Sequence, residues 1–76
     1  MNKVRRTAIA KIKEQIEDLK WKLDELLEEE QEAYDNMPDN LQCSERGEKA
    51  EECIDALEEA ISNIEDACDN LDTAIE

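Results

Sequence analysis

The sequence predicts an all-α protein: an antiparallel two-helix coiled-coil hairpin that dimerises into a four-helix bundle. Three observations lead to this fold class. One Gly and one Pro among 76 residues leave little chain for turns. Apolar residues recur at alternating three- and four-residue spacings on both sides of that proline, which is the coiled-coil pattern. Residues 1–22 carry a net charge of +4, whereas residues 23–76 carry −18. A chain of this length forms one domain, residues 1–76.

The first helix is predicted over about residues 3–36. Its apolar seam consists of Ile9, Ile12, Ile16, Leu19, Leu23 and Leu26. Pro38 cannot continue a helix, and it disfavours helical geometry at Met37, so the helix ends just before them.

A turn over residues 37–44 connects this helix to a second one over about residues 45–75. Ser44 is the predicted N-cap, and Glu45 lies favourably in the first turn. The seam of this helix runs without a slip through Ala50, Ile54, Leu57, Ile61, Ile64, Cys68, Leu71 and Ile75.

Folding the chain about residue 40 places seam residues whose numbers sum to 80 opposite each other. On one edge this register pairs Lys20 with Glu58, Lys13 with Glu65 and Arg6 with Asp72. Such exposed pairs contribute little stability, but they select the orientation of the helices. The basic start of one helix and the acidic end of the other both oppose the helix dipole, and antiparallel pairing sets them side by side.

The other edge of the second helix carries small residues every seven positions, at Ala60, Ala67 and Ala74. Alanine is a good helix former, and this alone can account for the row. The alternative is that another helix packs closely there, because oligomerisation is a common remedy for scaffolds of this size. We therefore expect a homodimer through this edge.

Catalysis and ligand binding have little basis in the composition. The chain has no His and no Gly-rich phosphate loop, so we predict that it is not an enzyme and has no catalytic residues. The region around Pro38 lacks the glycine of a calcium loop, and three Cys without a CxxC pair do not form a zinc site. We expect no metal and no cofactor. Cys43, in the turn, is either incidental or a site of redox sensing or dimer crosslinking.

No apolar stretch approaches the roughly 20 residues of a membrane span, and the basic start lacks the apolar core of a signal peptide. The sequence predicts a cytoplasmic protein, in a bacterial host cell, with no membrane association. Trp21 falls on the side of its helix that faces away from the seam. It either lies flat over its own helix or anchors a partner.

The acidic residues form the largest candidate binding surface. Residues 24–59 contain fifteen acids against Arg46 and Lys49. Acidic runs usually are solvated faces, but a net charge of −14 exceeds the magnitude of about 2–8 that serves a small domain. The alternative is a surface that mimics nucleic acid and binds a basic protein, without binding nucleic acid itself. The candidate partner-binding residues are Trp21, Glu25, Glu28, Glu32, Asp35, Glu52, Asp55 and Glu59.

The segments EEEQEAYDNMPDNLQCSERGEKAEE and IDALEEAISNIEDACDNL, within residues 28–71, resemble small acidic helical proteins of phages and mobile elements of Gram-positive bacteria. Such elements often encode DNA-mimicking inhibitors of host defence, including anti-CRISPR and anti-restriction proteins. The resemblance implies an inhibitor that blocks the basic DNA- or RNA-binding channel of a host defence protein, such as a CRISPR effector. The alternative is a non-catalytic assembly or regulatory module that acts by helix–helix packing.

Overall fold

A computed structural model describes all 76 residues and is entirely helical outside short connections. It comprises α1 (Lys3–Asp35), α2 (Asp39–Gln42) and α3 (Glu45–Ile75). The all-α prediction is confirmed. The molecule is a rod of 58 × 15 × 12 Å, and its radius of gyration of 17.3 Å compares with about 11 Å for a compact domain of this length.

The two long helices run side by side in opposite directions. Lys13 pairs with Asp72 (2.5 Å), Lys20 pairs with Glu65 (3.5 Å), and the Tyr34 hydroxyl donates a hydrogen bond to Glu51. The residue numbers of these pairs sum to 85, whereas the predicted flank pairs sum to 78. The predicted register was therefore wrong by one heptad, and the first two turns of α1 extend beyond the end of α3.

The shift originates at the connection, where α2 packs against the start of α3. Gly47 is buried in this contact, and a Cβ atom added there would lie 2.1 Å from the Gln42 carbonyl oxygen. The first turn of α3 is consequently used to cover α2. Its pairing with α1 begins later, at Glu51.

Short-range hydrogen bonds close the ends of the helices. The Asn2 side chain accepts from the Arg5 amide (2.8 Å) at the start of α1, and the Gln42 side chain donates to the Tyr34 carbonyl (3.0 Å) at its end. Ser44 occupies the predicted N-cap position of α3, but its side chain makes no capping bond. Its hydroxyl instead donates to the Leu41 carbonyl, so it supports the end of α2.

The core is provided mainly by α3. Ala50, Ile54, Ile61 and Cys68 are buried, and the remaining predicted seam residues of this helix are half-buried. No residue of α1 is buried.

In α1 the prediction of the seam was wrong for one of its two rows. Ile12, Leu19 and Leu26 are 50%, 57% and 53% exposed. The heptad row that follows them by one residue packs against α3 instead. It comprises Lys13, Lys20, Leu27 and Tyr34, all of which are half-buried. Rotating α1 in this way brings Leu27 and Tyr34 to the contact. The lysine stems then cover the seam while their ammonium groups reach acids of α3.

Candidate interaction surfaces

One side of the rod carries the apolar residues that α1 leaves exposed. Lys13 and Lys20 lie on one side of the Ile9–Ile16–Leu23 row, and Ile12, Leu19 and Leu26 lie on the other. The ion pairs of the two lysines mark one flank of the helix pair. The exposed row therefore lies on the opposite flank, where heptad geometry also places the small residues of α3. We call this side the apolar flank.

The two rows of the apolar flank match in height along the rod. Residues of α1 and α3 whose numbers sum to about 86 lie at the same height along the rod. Ile12 therefore lies level with Ala74, Leu19 with Ala67 and Leu26 with Ala60. Ala67 and Ala74 are exposed, and Ala60 is half-buried. Each level thus presents one large and one small apolar side chain. Sequence reasoning identified the alanines, but it assigned the three large residues to the interior.

Acidic residues avoid this flank almost entirely. Residues 45–76 contain twelve Asp and Glu. None of them falls in the two heptad rows of α3 that border the flank. These rows contain Arg46, Lys49, Cys53, Ala56, Ala60, Asn63, Ala67, Asn70 and Ala74. A helix with this much acid that keeps one side free of it has two chemically distinct surfaces.

The predicted partner-binding acids all lie in the half of the rod near the connection, and all are exposed. Their heptad positions divide them between two ridges. Glu25, Glu28, Glu32 and Asp35 point outward from α1, and Glu52, Asp55 and Glu59 point outward from α3. The structure thus brings the members of each ridge together, while the two ridges lie on opposite outer sides of the helix pair.

Trp21 is 61% exposed on the outward side of α1, away from the apolar flank. The Lys20 ammonium lies 4.9 Å from the centroid of its ring, which is a cation–π distance. Because Lys20 also pairs with Glu65, the indole, the ammonium and the carboxylate form one chain of contacts across the two helices. Trp21 lies four residues before Glu25 and seven before Glu28, so it adjoins the α1 ridge on the same outward side of the helix.

A shallow open groove follows the flank that bears the ion pairs. Its lining comprises Lys13, Glu17, Lys20, Glu65, Cys68, Asp69 and Asp72. The hydrogen bond to Asp72 is the main cause that raises the pKa of Lys13, so the ammonium form is favoured there. The lysines of the groove are thus engaged in ion pairs with carboxylates.

The groups that sequence reasoning considered for chemistry are dispersed. No three His, Cys, Asp or Glu residues are arranged to hold a metal ion. Cys43 and Cys53 are exposed, whereas Cys68 is buried in the seam. Cys53 continues the row of Ala60, Ala67 and Ala74, so its thiol belongs to the apolar flank rather than to the core.

No family model, curated protein sequence or solved structure significantly matches this chain. In addition, no helix combines the length and the apolar character needed to span a membrane.

Proposed function

We propose that this protein is a non-catalytic acidic inhibitor that occupies the basic nucleic-acid-binding channel of a host defence protein, such as a CRISPR effector. The observation that carries the proposal is the arrangement of charge: acids cover the outward sides of a rod in two ridges and leave one flank almost free of acids. A solvated surface requires no such division.

The spacing of the acids supports mimicry of a phosphate backbone. Residues 55–76 carry eight acids along roughly 31 Å of helix axis, at about 1.5 Å per residue. This is one negative charge per about 4 Å, close to the 3.4 Å per phosphate of one DNA strand. A basic channel that binds a strand through its phosphates would meet a similar line charge on this rod.

The choice of a defence protein as the target rests on the resemblance of residues 28–71 to acidic phage and mobile-element proteins. In this setting the protein acts in the cytoplasm of a bacterial host. It binds a basic protein and does not itself bind nucleic acid, because its own surface repels phosphates.

The second candidate function is that of a helical assembly module, and the exposed Ile12, Leu19 and Leu26 favour it. An uncovered row of large aliphatic residues at heptad spacing is typical of a coiled-coil face that lacks its partner. In this proposal the chain is a coiled-coil hairpin that dimerises through the apolar flank into a four-helix bundle. The two functions are compatible, since they use different surfaces.

A phage-plaquing assay in bacteria that carry a CRISPR or restriction system tests the inhibitor function. The wild-type protein should raise plaque numbers when it is expressed in the defended strain. A variant with Glu25→Gln, Glu28→Gln, Glu52→Gln and Asp55→Asn should lose most of this effect, since it removes four charges from the two ridges.

The matched control carries Glu14→Gln, Asp18→Asn, Asp66→Asn and Asp69→Asn, which remove the same charge from the middle of the rod and leave all seven ridge acids in place. It should retain more inhibition than the ridge variant. If the ridge variant protects phage as well as the wild type does, or if the wild type protects against neither system, the inhibitor function is wrong and the assembly function takes its place.

A further inference from the structure

We propose that the apolar flank binds a second copy of this chain about a two-fold axis parallel to the rod. In this arrangement Ile12, Leu19 and Leu26 of one copy pack onto the alanine row of the other. The inference rests on the self-association proposed above, and it specifies which surfaces meet and how they are oriented.

The single chain exposes more area than a compact monomer of its mass, partly because it is an elongated rod, and this excess is large enough to contain an interface of standard size. The chain exposes 5893 Å². A folded monomer of 8.8 kDa is expected to expose roughly 4,800 Å². The excess of about 1,100 Å² is comparable to the roughly 800 Å² that each partner buries in a standard interface. One flank of a rod this long can supply that area.

The sizes of the side chains select the orientation. A two-fold axis parallel to the rod places α1 of one copy over α3 of the other. The rotation leaves every residue at the same height along the rod. Leu19 then meets the partner's Ala67, Leu26 meets Ala60 and Ile12 meets Ala74. An axis across the rod would place α1 over α1 and α3 over α3, so that large residues meet large ones and alanines leave a gap. Close packing disfavours the second arrangement, because both voids and overpacking are costly.

Electrostatic repulsion does not prevent this orientation, although the acidic connections between α1 and α3 of the two copies then lie at the same end of the dimer. The acids of α3 are confined to rows that do not border the flank, and Glu29 is the one acid of α1 in the rows that do. Packed helices lie about 8–10 Å apart, and acids on their outer sides lie farther apart still. These distances reach or exceed the Debye length of about 8 Å at physiological ionic strength.

Disulfide crosslinking between two different single-cysteine chains tests the orientation. In a background with Cys43→Ser, Cys53→Ala and Cys68→Ala, one chain carries Lys22→Cys and the other carries Asn63→Cys. Both positions are exposed beside the flank, so the apolar rows stay intact. The proposed axis places Lys22 beside the partner's Asn63. An oxidised mixture should therefore yield mainly the mixed dimer, and either chain alone should yield little.

Each other outcome overturns the inference in a recognisable way. A monomer by sedimentation at tens of micromolar, for the wild type and for the background, removes self-association together with this interface. A dimer that forms no mixed crosslink contradicts this interface but leaves self-association in place. A Lys22→Cys chain that crosslinks efficiently to itself indicates the arrangement of α1 over α1.

The matched pair Ala67→Glu, on the flank, and Ser62→Glu, on the acidic side of α3, checks the surface independently: only Ala67→Glu should abolish the dimer.

Discussion

The single glycine of the chain determines where the long helices begin to pair. Gly47 lies inside α3, where glycine costs up to about 1 kcal/mol relative to alanine. Its position is explained by space rather than by backbone conformation, because its φ is not positive. The Gln42 carbonyl approaches so closely that any Cβ would overlap it.

We predict that Gly47→Ala destabilises the protein in spite of the gain in helix propensity. Displacing backbone atoms of α2 should cost about 1–3 kcal/mol, which exceeds that gain. Urea unfolding followed by circular dichroism measures the difference. Ser62→Ala, at an exposed position of the same helix, serves as the control and should be neutral or slightly stabilising. A Gly47→Ala variant more stable than the wild type would show that α2 does not pack as described.

Tyr34 links the two long helices close to the connection. The hydrogen bond that its hydroxyl donates to Glu51 is the largest cause that raises the pKa of Tyr34 above 10.0, and burial adds to it. Because the chain has one tyrosine, its ionisation can be followed by tyrosinate absorbance without interference from another.

We predict that Glu51→Gln lowers the pKa of Tyr34 towards its ordinary value. A raised pKa in the folded state means that folding favours the protonated phenol. The corresponding stability is fully present below about pH 10 and is lost as the pH rises through the higher folded-state value. The unfolding free energy of the wild type should therefore decline more steeply above pH 10 than that of Tyr34→Phe. Lys13 has a raised pKa and titrates in the same range, but it does so in both proteins. Parallel pH profiles would show that this hydrogen bond is absent in solution.

At the scale of the elements, α3 could be predicted from the sequence and the contacts of α1 could not. The seam of α3 is unambiguous because acids occupy the rows on one side and small residues those on the other. In α1 the row of Ile9, Ile16 and Leu23 has apolar residues on both sides. Ile12, Leu19 and Leu26 lie on one side of it, and Leu27 and Tyr34 lie on the other. Periodicity alone cannot decide between two such stripes.

The register of the two helices depended on the connection rather than on the helices. Pro38 and its polar neighbours indicated a turn, but nothing in their pattern predicted a further helical turn packed on Gly47. The heptad repeat is also insensitive to a shift of seven residues, because such a shift preserves every pairing of rows. Lys13 and Lys20 therefore find acidic partners in either register, at Glu65 and Glu58 or at Asp72 and Glu65.

The candidate surfaces were foreseen in part. The exposed acids of both ridges could be read from heptad positions, because residues opposite the seam face outward in any register. The alanine row could be found in the same way. The large residues beside it could not, since their exposure follows from the rotation of α1.

At the scale of the whole molecule, the acidic ridges and the apolar flank lie on different sides of the rod, so salt should act on the two proposed interactions in opposite directions. A basic partner is attracted by the acidic ridges, and screening weakens that attraction. Two copies of the chain, each with a net charge of −14, repel each other while their apolar flanks attract. The apolar contribution depends little on moderate salt, whereas the repulsion falls as the Debye length shortens from about 30 Å at 0.01 M to about 3 Å at 1 M.

We predict that raising the salt concentration from about 0.01 M to about 1 M tightens self-association by about tenfold or more, a change of about 1.4 kcal/mol. Sedimentation equilibrium across this range measures it. Over the same range the direct binding of the protein to a basic DNA-binding effector should weaken, because the attraction is screened. The variant with four neutralised ridge acids separates the two effects: at low salt it should dimerise more tightly than the wild type and bind the effector less tightly. Dimers that dissociate as salt is added would mean that ion pairs, and not the row of Ile12, Leu19 and Leu26, hold the two copies together.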